Sequence, residues 1–274
     1  MAGSFTVDAT LNYLVPMQVK PRILAYQPPP GVPRSNAAYE ARTVQIHDLR
    51  ASAYATSLDR EGFELIGQRS AVRNFYDEDE LRRVYYPEAE RLVAAVTGGS
   101  RVLVFDHTVR RHVRGMDDRV KGAPRQPLSY VHNDYTIDSG PRRLHDLRQH
   151  EGGLPRNRRF SIINLWRPIR GPVCDAPLAV CDAHGVAPGD FVAADLVYPG
   201  RTGEHYLVTY SAAHRWSYVS DMVPDEALLF RCYDSATDGR ARFTPHAAFT
   251  DPAAAPDSPP RESIELRTIA FYAA

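Results

Sequence analysis

The sequence contains almost no lysine and little cysteine. Lysine occurs only at Lys20 and Lys121, so nearly every basic residue is arginine. The 33 basic and 33 acidic residues balance, which gives no electrostatic argument for binding nucleic acid or a membrane surface. The 3 cysteines, Cys174, Cys181 and Cys232, form no Cys-x-x-Cys pair, and this usage is typical of a reduced, cytoplasmic protein.

Long apolar runs are also missing. No stretch approaches the ~18 consecutive apolar residues of a membrane span, so we expect no membrane association. The first residues lack the basic and apolar regions of a signal peptide, and we expect none. A length of 274 residues with 43% hydrophobic residues is enough to bury a core. We predict a single domain over 1–274, in which residues 1–100 flank a core formed by 101–274.

Short apolar segments separated by proline and glycine turns dominate the chain after residue 128. Many short strands with few helices predict a mainly β fold with flanking helices, namely a cupin-like jelly roll (double-stranded β-helix). Residues 4–26 predict N-terminal strands, and the clearest helix begins at the acidic run 77–80 and ends at Gly98. Further strands are predicted at 101–107, 160–168, 178–182, 190–197, 204–210, 216–219, 224–230, 242–249 and 262–271.

The segment 130–135, Tyr-Val-His-Asn-Asp-Tyr, places an imidazole and a carboxylate two residues apart. It predicts a strand, and side chains at i and i+2 of a strand point to the same face. His132 and Asp134 would therefore project together, as two ligands of a 2-His-1-carboxylate triad must; this triad leaves positions open on Fe(II). A chain with 10 histidines also contains such a pair by accident, so the hypothesis depends on a third ligand.

The candidates for the third ligand are His205, His214 and His246. His246 is favoured because it follows the apolar strand 224–230 and precedes a basic strand. His214 stays open as an alternative, since it could instead line the pocket together with Trp216.

A 2-oxoacid cosubstrate would require a cation for its far carboxylate, preferably the bidentate fork of arginine. Arg261 lies 15 residues after His246, and Arg267 lies 21 residues after it. Ser263 shares a strand face with Arg261, which favours Arg261 as the carboxylate clamp. A solvated surface arginine is the alternative interpretation of either residue.

Candidate substrate contacts are grouped around the same segments. Asn164 and Trp166 share one face of a predicted strand, whereas Arg167 points to the other face. A buried tryptophan is more often part of the core than of a pocket. The full set is Tyr130, Tyr135, Asn164, Trp166, Arg167, His214 and Trp216.

These motifs together resemble the Fe(II)/2-oxoglutarate-dependent oxygenases. The resemblance is carried by His132-x-Asp134, by Phe-Thr-Pro-His-Ala-Ala-Phe at 243–249 and by Arg261-x-Ser263. Longer motifs resemble one subgroup, the fungal gibberellin desaturase-like proteins and the cephamycin methoxylation-associated proteins of actinomycetes. These motifs are Ile-Asn-Leu-Trp-Arg-Pro-Ile at 163–169 and the segments 177–182, 233–235 and 260–267, so the resemblance covers about 125–272.

The resemblance implies a jelly-roll core in which His132, Asp134 and His246 bind Fe(II). It also implies that an arginine of the last strand binds 2-oxoglutarate and that O2 is the second cosubstrate. The implied reaction is hydroxylation or desaturation of a small secondary metabolite, coupled to decarboxylation of 2-oxoglutarate to succinate. The spacing from His246 to Arg261 or Arg267 is longer than in many family members, so the choice between the two arginines stays open. The carboxylate of Asp134 argues against halogenation.

Two other functions are compatible with the same residues. A non-catalytic, cupin-like ligand-binding or partner protein of a biosynthetic complex could hold a metal or a ligand without turnover. A metal-dependent hydrolase could use the same His and Asp residues, but it leaves the arginines of the last strand unexplained. A homo-oligomer or a biosynthetic partner stays open.

Overall fold

Two facing β-sheets form most of the structure, a computed structural model that describes residues 6–51, 55–118 and 120–273. Residues 4 and 5, with which the predicted N-terminal strand region opens, lie outside these ranges. The strands are β1 (Thr6–Leu14), β2 (Arg22–Leu24), β3 (Tyr39–Asp48), β4 (Phe63–Gly67), β5 (Arg101–Arg111), β6 (His132–Asn133), β7 (Phe160–Arg170), β8 (Leu178–Cys181), β9 (Phe191–Tyr198), β10 (Arg201–Val208), β11 (Trp216–Tyr218), β12 (Glu226–Asp234), β13 (His246–Ala248) and β14 (Glu262–Phe271).

The larger sheet has 9 strands in the order β1-β3-β11-β8-β13-β6-β10-β9-β2, and the smaller has 5 in the order β4-β12-β7-β14-β5. Strands that are distant in sequence are neighbours in both sheets, as in a jelly roll. The mainly β, double-stranded β-helix fold predicted from the strand pattern is confirmed.

The core follows from the alternation of side chains along the strands. One buried cluster, which includes Ile162, Trp166, Val180 and Phe230, fills the space between the sheets. A second cluster, which includes Leu266, covers the outer face of the smaller sheet and packs against the long helix. Polar side chains interrupt the inner face at one end, and this end holds the candidate site.

The long helix forms where the acidic run predicts it. It begins as α1 (Glu78–Glu80), continues through a π-helical turn (Leu81–Tyr85) and ends as α2 (Tyr86–Thr97). The Asp77 side chain caps the first turn by accepting from the backbone N–H groups of Asp79 and Glu80. Gly98 ends the helix at φ 69°, a left-handed conformation that suits glycine.

A further helix, α3 (Ser139–His150), was not predicted. Ser139-Gly140-Pro141 is a sequence typical of a turn after a strand, but proline is well tolerated in the first turn of a helix. Gly140 is required by packing, because a Cβ atom there would lie 2.5 Å from Cδ2 of Tyr233. Within the described part of the chain, no helix has the length and apolar character needed to span a membrane.

Candidate active site

Two neighbouring strands of the larger sheet bring His132 and His246 together. β6 and β13 are antiparallel neighbours, and His132 is directly opposite His246 in their register. The two imidazole ring centroids are 4.4 Å apart, and both side chains are buried. β6 is shorter than the predicted strand 130–135, because the chain leaves the sheet after Asn133.

Both histidines direct Nε2 towards Asp134, because Nδ1 of each is bound on the other side of the ring. Nδ1 of His132 lies 2.9 Å from the Tyr130 carbonyl, and Nδ1 of His246 lies 3.0 Å from the Thr244 carbonyl. A carbonyl oxygen only accepts, so each Nδ1 carries the proton and each Nε2 keeps its lone pair. Burial and the neighbouring His246 lower the pKa of His132 well below 6.5, which keeps this imidazole neutral.

Asp134 completes the cluster from the residue after β6. Its Oδ1 lies 3.7 Å from Nε2 of His132 and 4.0 Å from Nε2 of His246. Its Oδ2 accepts from Nδ2 of Asn164 at 2.8 Å and from Nε of Arg267 at 2.9 Å. Burial raises the pKa of Asp134, but the Arg267 guanidinium and the two imidazoles more than offset this effect, so the group stays ionised.

The donor set fits a metal ion. One ligand atom from each of His132, Asp134 and His246 lies within 4.8 Å of the others. Two neutral imidazoles and one carboxylate are the donors of non-haem Fe(II) sites that leave open coordination positions. The backbone carbonyls bound to the two Nδ1 atoms orient the imidazoles. Asn164 and Arg267, which donate to Oδ2 of Asp134, orient the carboxylate.

The rival histidines lie elsewhere. The His205 ring centroid is 6.2 Å from that of His132, and His205 is not part of the three-residue cluster. His214 stacks on Tyr13 and its Nε2 lies 3.1 Å from Oδ2 of Asp190, away from the cluster.

A cavity of ≈ 660 Å³ opens over the His-Asp-His cluster. It lies between β5, α3 and the β9–β10 hairpin. His132, Asp134 and Arg267 form part of its lining, together with Tyr130, Tyr135, His205, and Arg142, Arg143, His145 and Asp146 of α3. This volume suits a small organic molecule. A separate apolar cavity of ≈ 400 Å³, lined by Phe191, Tyr206 and Phe243, contains none of the three cluster residues.

A narrow slot leads from the cluster to the start of β14. His132, His246, Trp166, Arg261 and Glu265 line it, and its volume is ≈ 20 Å³. Arg110, Leu128 and His132 line both the slot and the large cavity, so the two spaces adjoin.

Arg261 and Arg267 have different partners although both point to the inner face. Arg267 donates to Asp134, to Oε1 of Glu265 at 2.6 Å and to Oγ1 of Thr108 at 3.0 Å. Arg261 is 3% exposed and donates to Oγ of Ser263 at 3.2 Å and to the Ala176 carbonyl at 2.6 Å. Within residues 6–51, 55–118 and 120–273, no ion pair involves Arg261.

The predicted substrate contacts fall into two groups. Tyr130 and Tyr135 line the large cavity, Trp166 lines the slot under the Arg261 guanidinium, and Asn164 binds Asp134. The structure does not bring the other three, Arg167, His214 and Trp216, to the site.

Three assignments to the substrate site therefore need correction. Arg167 points to the outer face of β7, where its guanidinium donates to the carbonyls of Gln68 and Pro224. Trp216 donates to Oη of Tyr13 at 2.8 Å, and His214 contacts the same hydroxyl at 3.2 Å. These side chains satisfy buried backbone and side-chain groups outside the cavity.

Sequence reasoning missed Arg110, Glu265 and the residues of α3. Glu265 lies within the predicted strand 262–271, and a charged residue on a strand predicted to be buried is the available signal for it. Arg110 lies beyond the predicted strand 101–107, so no such signal marks it. The α3 residues lie in a helix that was not predicted, so their approach to the cavity depends on tertiary structure alone.

The two-sheet fold and the His-Asp-His cluster define a jelly-roll protein with a non-haem iron site. Residues 11–271 match the family model described as "Oxidoreductase/YMDC permease-like domain". The chain is 33% identical over 287 residues to the hydroxylase/desaturase efuI of Hormonema carpetanum. This alignment covers 97% of this chain and 95% of that protein. It is 29% identical over 251 residues to the Fe(II)/2-oxoglutarate-dependent dioxygenase nvfI of Aspergillus novofumigatus, covering 89% and 88%.

Solved structures agree with these relatives. The iron and alpha-ketoglutarate-dependent endoperoxidase NvfI superposes with a TM-score of 0.85 at 25% identity, over 99% of this chain and 100% of that one. The chain belongs to the family of Fe(II)/2-oxoglutarate-dependent dioxygenases, within the group of hydroxylase/desaturase proteins. It is an enzyme that uses Fe(II), 2-oxoglutarate and O2, so a non-catalytic binding protein and a hydrolase are not supported.

Proposed function

We propose that this enzyme hydroxylates or desaturates a small secondary metabolite bound in the ≈ 660 Å³ cavity, and that 2-oxoglutarate is converted to succinate in the same turnover. The observation that carries the proposal is the position of the His-Asp-His cluster. It lies where the large cavity meets a slot that contains a buried arginine, so substrate and cosubstrate can approach one metal from two sides.

His132, Asp134 and His246 would hold Fe(II) through the two Nε2 atoms and Oδ1 of Asp134. Because each Nδ1–H is bound to a backbone carbonyl, the imidazoles need no reorientation to bind the metal. Asn164 and Arg267 hold the other carboxylate oxygen, which leaves Oδ1 directed at the histidines.

Arg261 is the residue that we assign to the far carboxylate of 2-oxoglutarate, with Ser263 beside it. Arg261 is buried, its pKa is lowered to about 9 mainly by burial, and it remains charged at neutral pH. Arg267 already binds three carboxylates, those of Asp106, Asp134 and Glu265, whereas Arg261 binds a hydroxyl and a carbonyl. The slot is too small for the whole cosubstrate, so 2-oxoglutarate would extend from Arg261 into the adjoining cavity at the metal.

When bound, Fe(II) and 2-oxoglutarate supply O2-dependent oxidation of a C–H bond, with succinate and CO2 as coproducts. The protein's own contribution is orientation and exclusion of water. Trp166 and Leu178 form an apolar wall of the slot, and Tyr130 and Tyr135 present aromatic faces to a substrate in the cavity. Substrate position relative to the metal then decides which C–H bond reacts.

We also propose that the enzyme works in the cytoplasm. Cys174, Cys181 and Cys232 are all free, and two of them are buried, as expected for a reducing compartment. A measurement of molecular mass in solution would test whether the enzyme forms a homo-oligomer. The same measurement in the presence of a candidate biosynthetic protein would test for a complex.

The test of the metal assignment compares two buried histidines that line the same region. His246→Ala should abolish Fe(II) binding, measured as bound iron after anaerobic loading and desalting. His205→Ala is the matched control, and it should retain Fe(II). Loss of iron in His205→Ala with retention in His246→Ala would move the third ligand to His205.

The test of the reaction uses candidate metabolites with Fe(II) and 2-oxoglutarate. Product and succinate should form together and only with O2, and the product mass distinguishes the gain of one oxygen from the loss of two hydrogens. Product formed under strict anaerobiosis would overturn the assignment. The NvfI neighbour is named an endoperoxidase, so the gain of two oxygens is a third outcome to be scored.

A further inference from the structure

The slot contains a second buried arginine that the proposed function does not yet use. Arg110 lies near the end of β5 and is 8% exposed. In the pairing of β5 with β14, Arg110 is directly opposite Ser263. The Ser263 hydroxyl accepts from Nε of Arg261, and the register places Arg110 next to Ser263 on the same face of the sheet.

The charge of Arg110 is poorly compensated. Its Nη1 donates to the Gln126 carbonyl at 2.7 Å, and its ion pair with Oδ1 of Asp118 is long, at 4.0 Å. Asp118 is held more closely by Arg125, at 2.8 Å and 2.9 Å. Burial therefore lowers the pKa of Arg110, and nearby Arg125 adds to this effect.

Glu265, the acid that lines the slot, favours the charges of Arg110 and Arg261, but it is shared with a third arginine. Glu265 is bound to Nη2 of Arg267 at 2.6 Å. Two buried guanidinium groups thus line one slot, and Arg110 disfavours the charge of Arg261. Burying such charges costs free energy unless an anion accompanies them, and two guanidinium groups with a hydroxyl form a suitable carboxylate site.

We propose that Arg110 is a second specificity-determining residue for the cosubstrate, which binds the far carboxylate of 2-oxoglutarate together with Arg261 and Ser263. This inference rests on the proposed function, which places the cosubstrate in the slot. The consequence is selection for a 2-oxo acid with a second carboxylate. Arg110 also lines the large cavity, so its position links the occupied slot to the substrate space.

The experiment is calorimetric titration of Fe(II)-loaded enzyme under nitrogen with two ligands. One is 2-oxoglutarate, and the other is 2-oxopentanoate, which has the same chain length but a methyl group in place of the far carboxylate. Arg110→Gln should weaken 2-oxoglutarate binding by roughly ten-fold or more and leave 2-oxopentanoate binding unchanged. Arg143→Gln is the matched control, because Arg143 lines the large cavity but not the slot, and it should change neither ligand.

A second readout separates ligand binding from a structural role. The rise in Tm on adding 2-oxoglutarate to the Fe(II)-loaded enzyme should be smaller in Arg110→Gln than in wild type. A structural role would lower the starting Tm and leave this rise unchanged. If Arg110→Gln does not fold, Arg110→Lys keeps the charge without the fork, and its 2-oxoglutarate affinity should still fall.

Each failure has a distinct meaning. Unchanged 2-oxoglutarate affinity in both Arg110→Gln and Arg110→Lys, or equal weakening of both ligands, overturns the role of Arg110 and leaves the cosubstrate site intact. Unchanged 2-oxoglutarate affinity in Arg261→Gln would overturn the proposed cosubstrate site itself.

Discussion

At the residue scale, two arginines on one strand face have separate tasks. The even offset between Arg261 and Arg267 predicts a common face, and both side chains do point to the inner side of β14. Arg267 binds the carboxylate of Asp134, so it positions a metal ligand. Arg261 lines the slot, where its guanidinium donates to the Ser263 hydroxyl and the Ala176 carbonyl.

We expect the substitutions Arg261→Gln and Arg267→Gln to affect different ligands. Arg261→Gln should weaken 2-oxoglutarate by about thirty-fold to several hundred-fold, since it removes a charge-assisted bidentate pair worth roughly 2–4 kcal/mol. Arg267→Gln should instead weaken Fe(II) binding by about 10–100-fold, because Asp134 loses the group that orients it. Anaerobic titrations of metal and of 2-oxoglutarate measure both effects.

The opposite pattern would reverse these roles. If Arg267→Gln retained Fe(II) but lost 2-oxoglutarate, while Arg261→Gln bound the cosubstrate normally, Arg267 would be the clamp.

The metal cluster could be found from sequence because its signal is local. Alternation along a strand places His132 and Asp134 together, and the strand pattern near the end of the chain brings back His246. Arg167 shows the limit of the same reasoning. Alternation correctly puts Arg167 opposite Asn164 and Trp166, but it does not say which face lines a cavity. The carbonyls that bind Arg167 come from distant loops.

At the element scale, one aspartate holds the beginning of β14 in place. Oδ1 of Asp175 accepts from the backbone N–H of Arg261 at 2.8 Å, and Oδ2 lies 2.5 Å from Nδ1 of His112. Burial raises the pKa of Asp175, but the bonds to His112 and Arg261 more than offset it, so the pKa is lowered from 3.8. Asp175 thus ties the loop before β8 to the strand that carries the clamp.

Asp175→Asn should destabilise the enzyme by roughly 1–2 kcal/mol at pH 7, as expected for the loss of hydrogen bonds to an ionised group. A lowered folded-state pKa gives stability that is fully present above the unfolded-state value and is lost as pH falls through the folded-state value. The difference from wild type should therefore be present above about pH 5 and shrink below about pH 4.

Urea denaturation across this pH range measures the difference. Asp257→Asn, in an exposed loop, is the control and should match wild type throughout. A difference that grew as the pH fell would contradict the role given to the Asp175 carboxylate.

Strands were easier to predict than helices in this chain. The segments 160–168 and 262–271 form β7 and β14 almost as expected, because both are rich in isoleucine, leucine and phenylalanine and are bounded by turns. α3 was missed because few of its residues are apolar and its buried positions are mainly Ser139, Gly140 and Leu144. Its stability comes from contacts such as Gly140 against Tyr233, which a local pattern does not show.

At the scale of the whole molecule, the N-terminal strands are part of the larger sheet. β1 pairs with β3, and β3 pairs with β11 in the order that leads to β8 and β13. Leu11, Tyr13 and Leu14 are fully buried. Local sequence patterns do not predict these pairings, because β3 lies between its predecessor β1 and the distant strand β11, which comes more than a hundred residues later in the chain.

Tyr13→Phe tests this connection. The Tyr13 hydroxyl accepts from Nε1 of Trp216, so its removal leaves a buried donor without this partner and should cost about 1–3 kcal/mol of unfolding free energy. Affinities for Fe(II) and 2-oxoglutarate should not change, because His214 and Trp216 lie outside the cavity.

Denaturation and anaerobic titration give the two readouts, and Tyr210→Phe, at a residue that is 38% exposed, is the matched control. Loss of 2-oxoglutarate affinity in Tyr13→Phe would instead indicate that His214 or Trp216 contributes to the ligand-binding site.

The pairing of β13 with β6 has one more consequence. β13 has three residues and meets β6 at one position, His246 opposite His132. A slip of β13 by one residue would turn His246 outward and bring the methyl group of Ala247 to the inner face. A misaligned molecule would keep every ligand in its sequence and still be unable to hold iron. The amount of iron bound per protein molecule therefore measures the fraction of molecules in which β13 is correctly aligned. A measurement of β-sheet content would not distinguish these molecules from slipped ones.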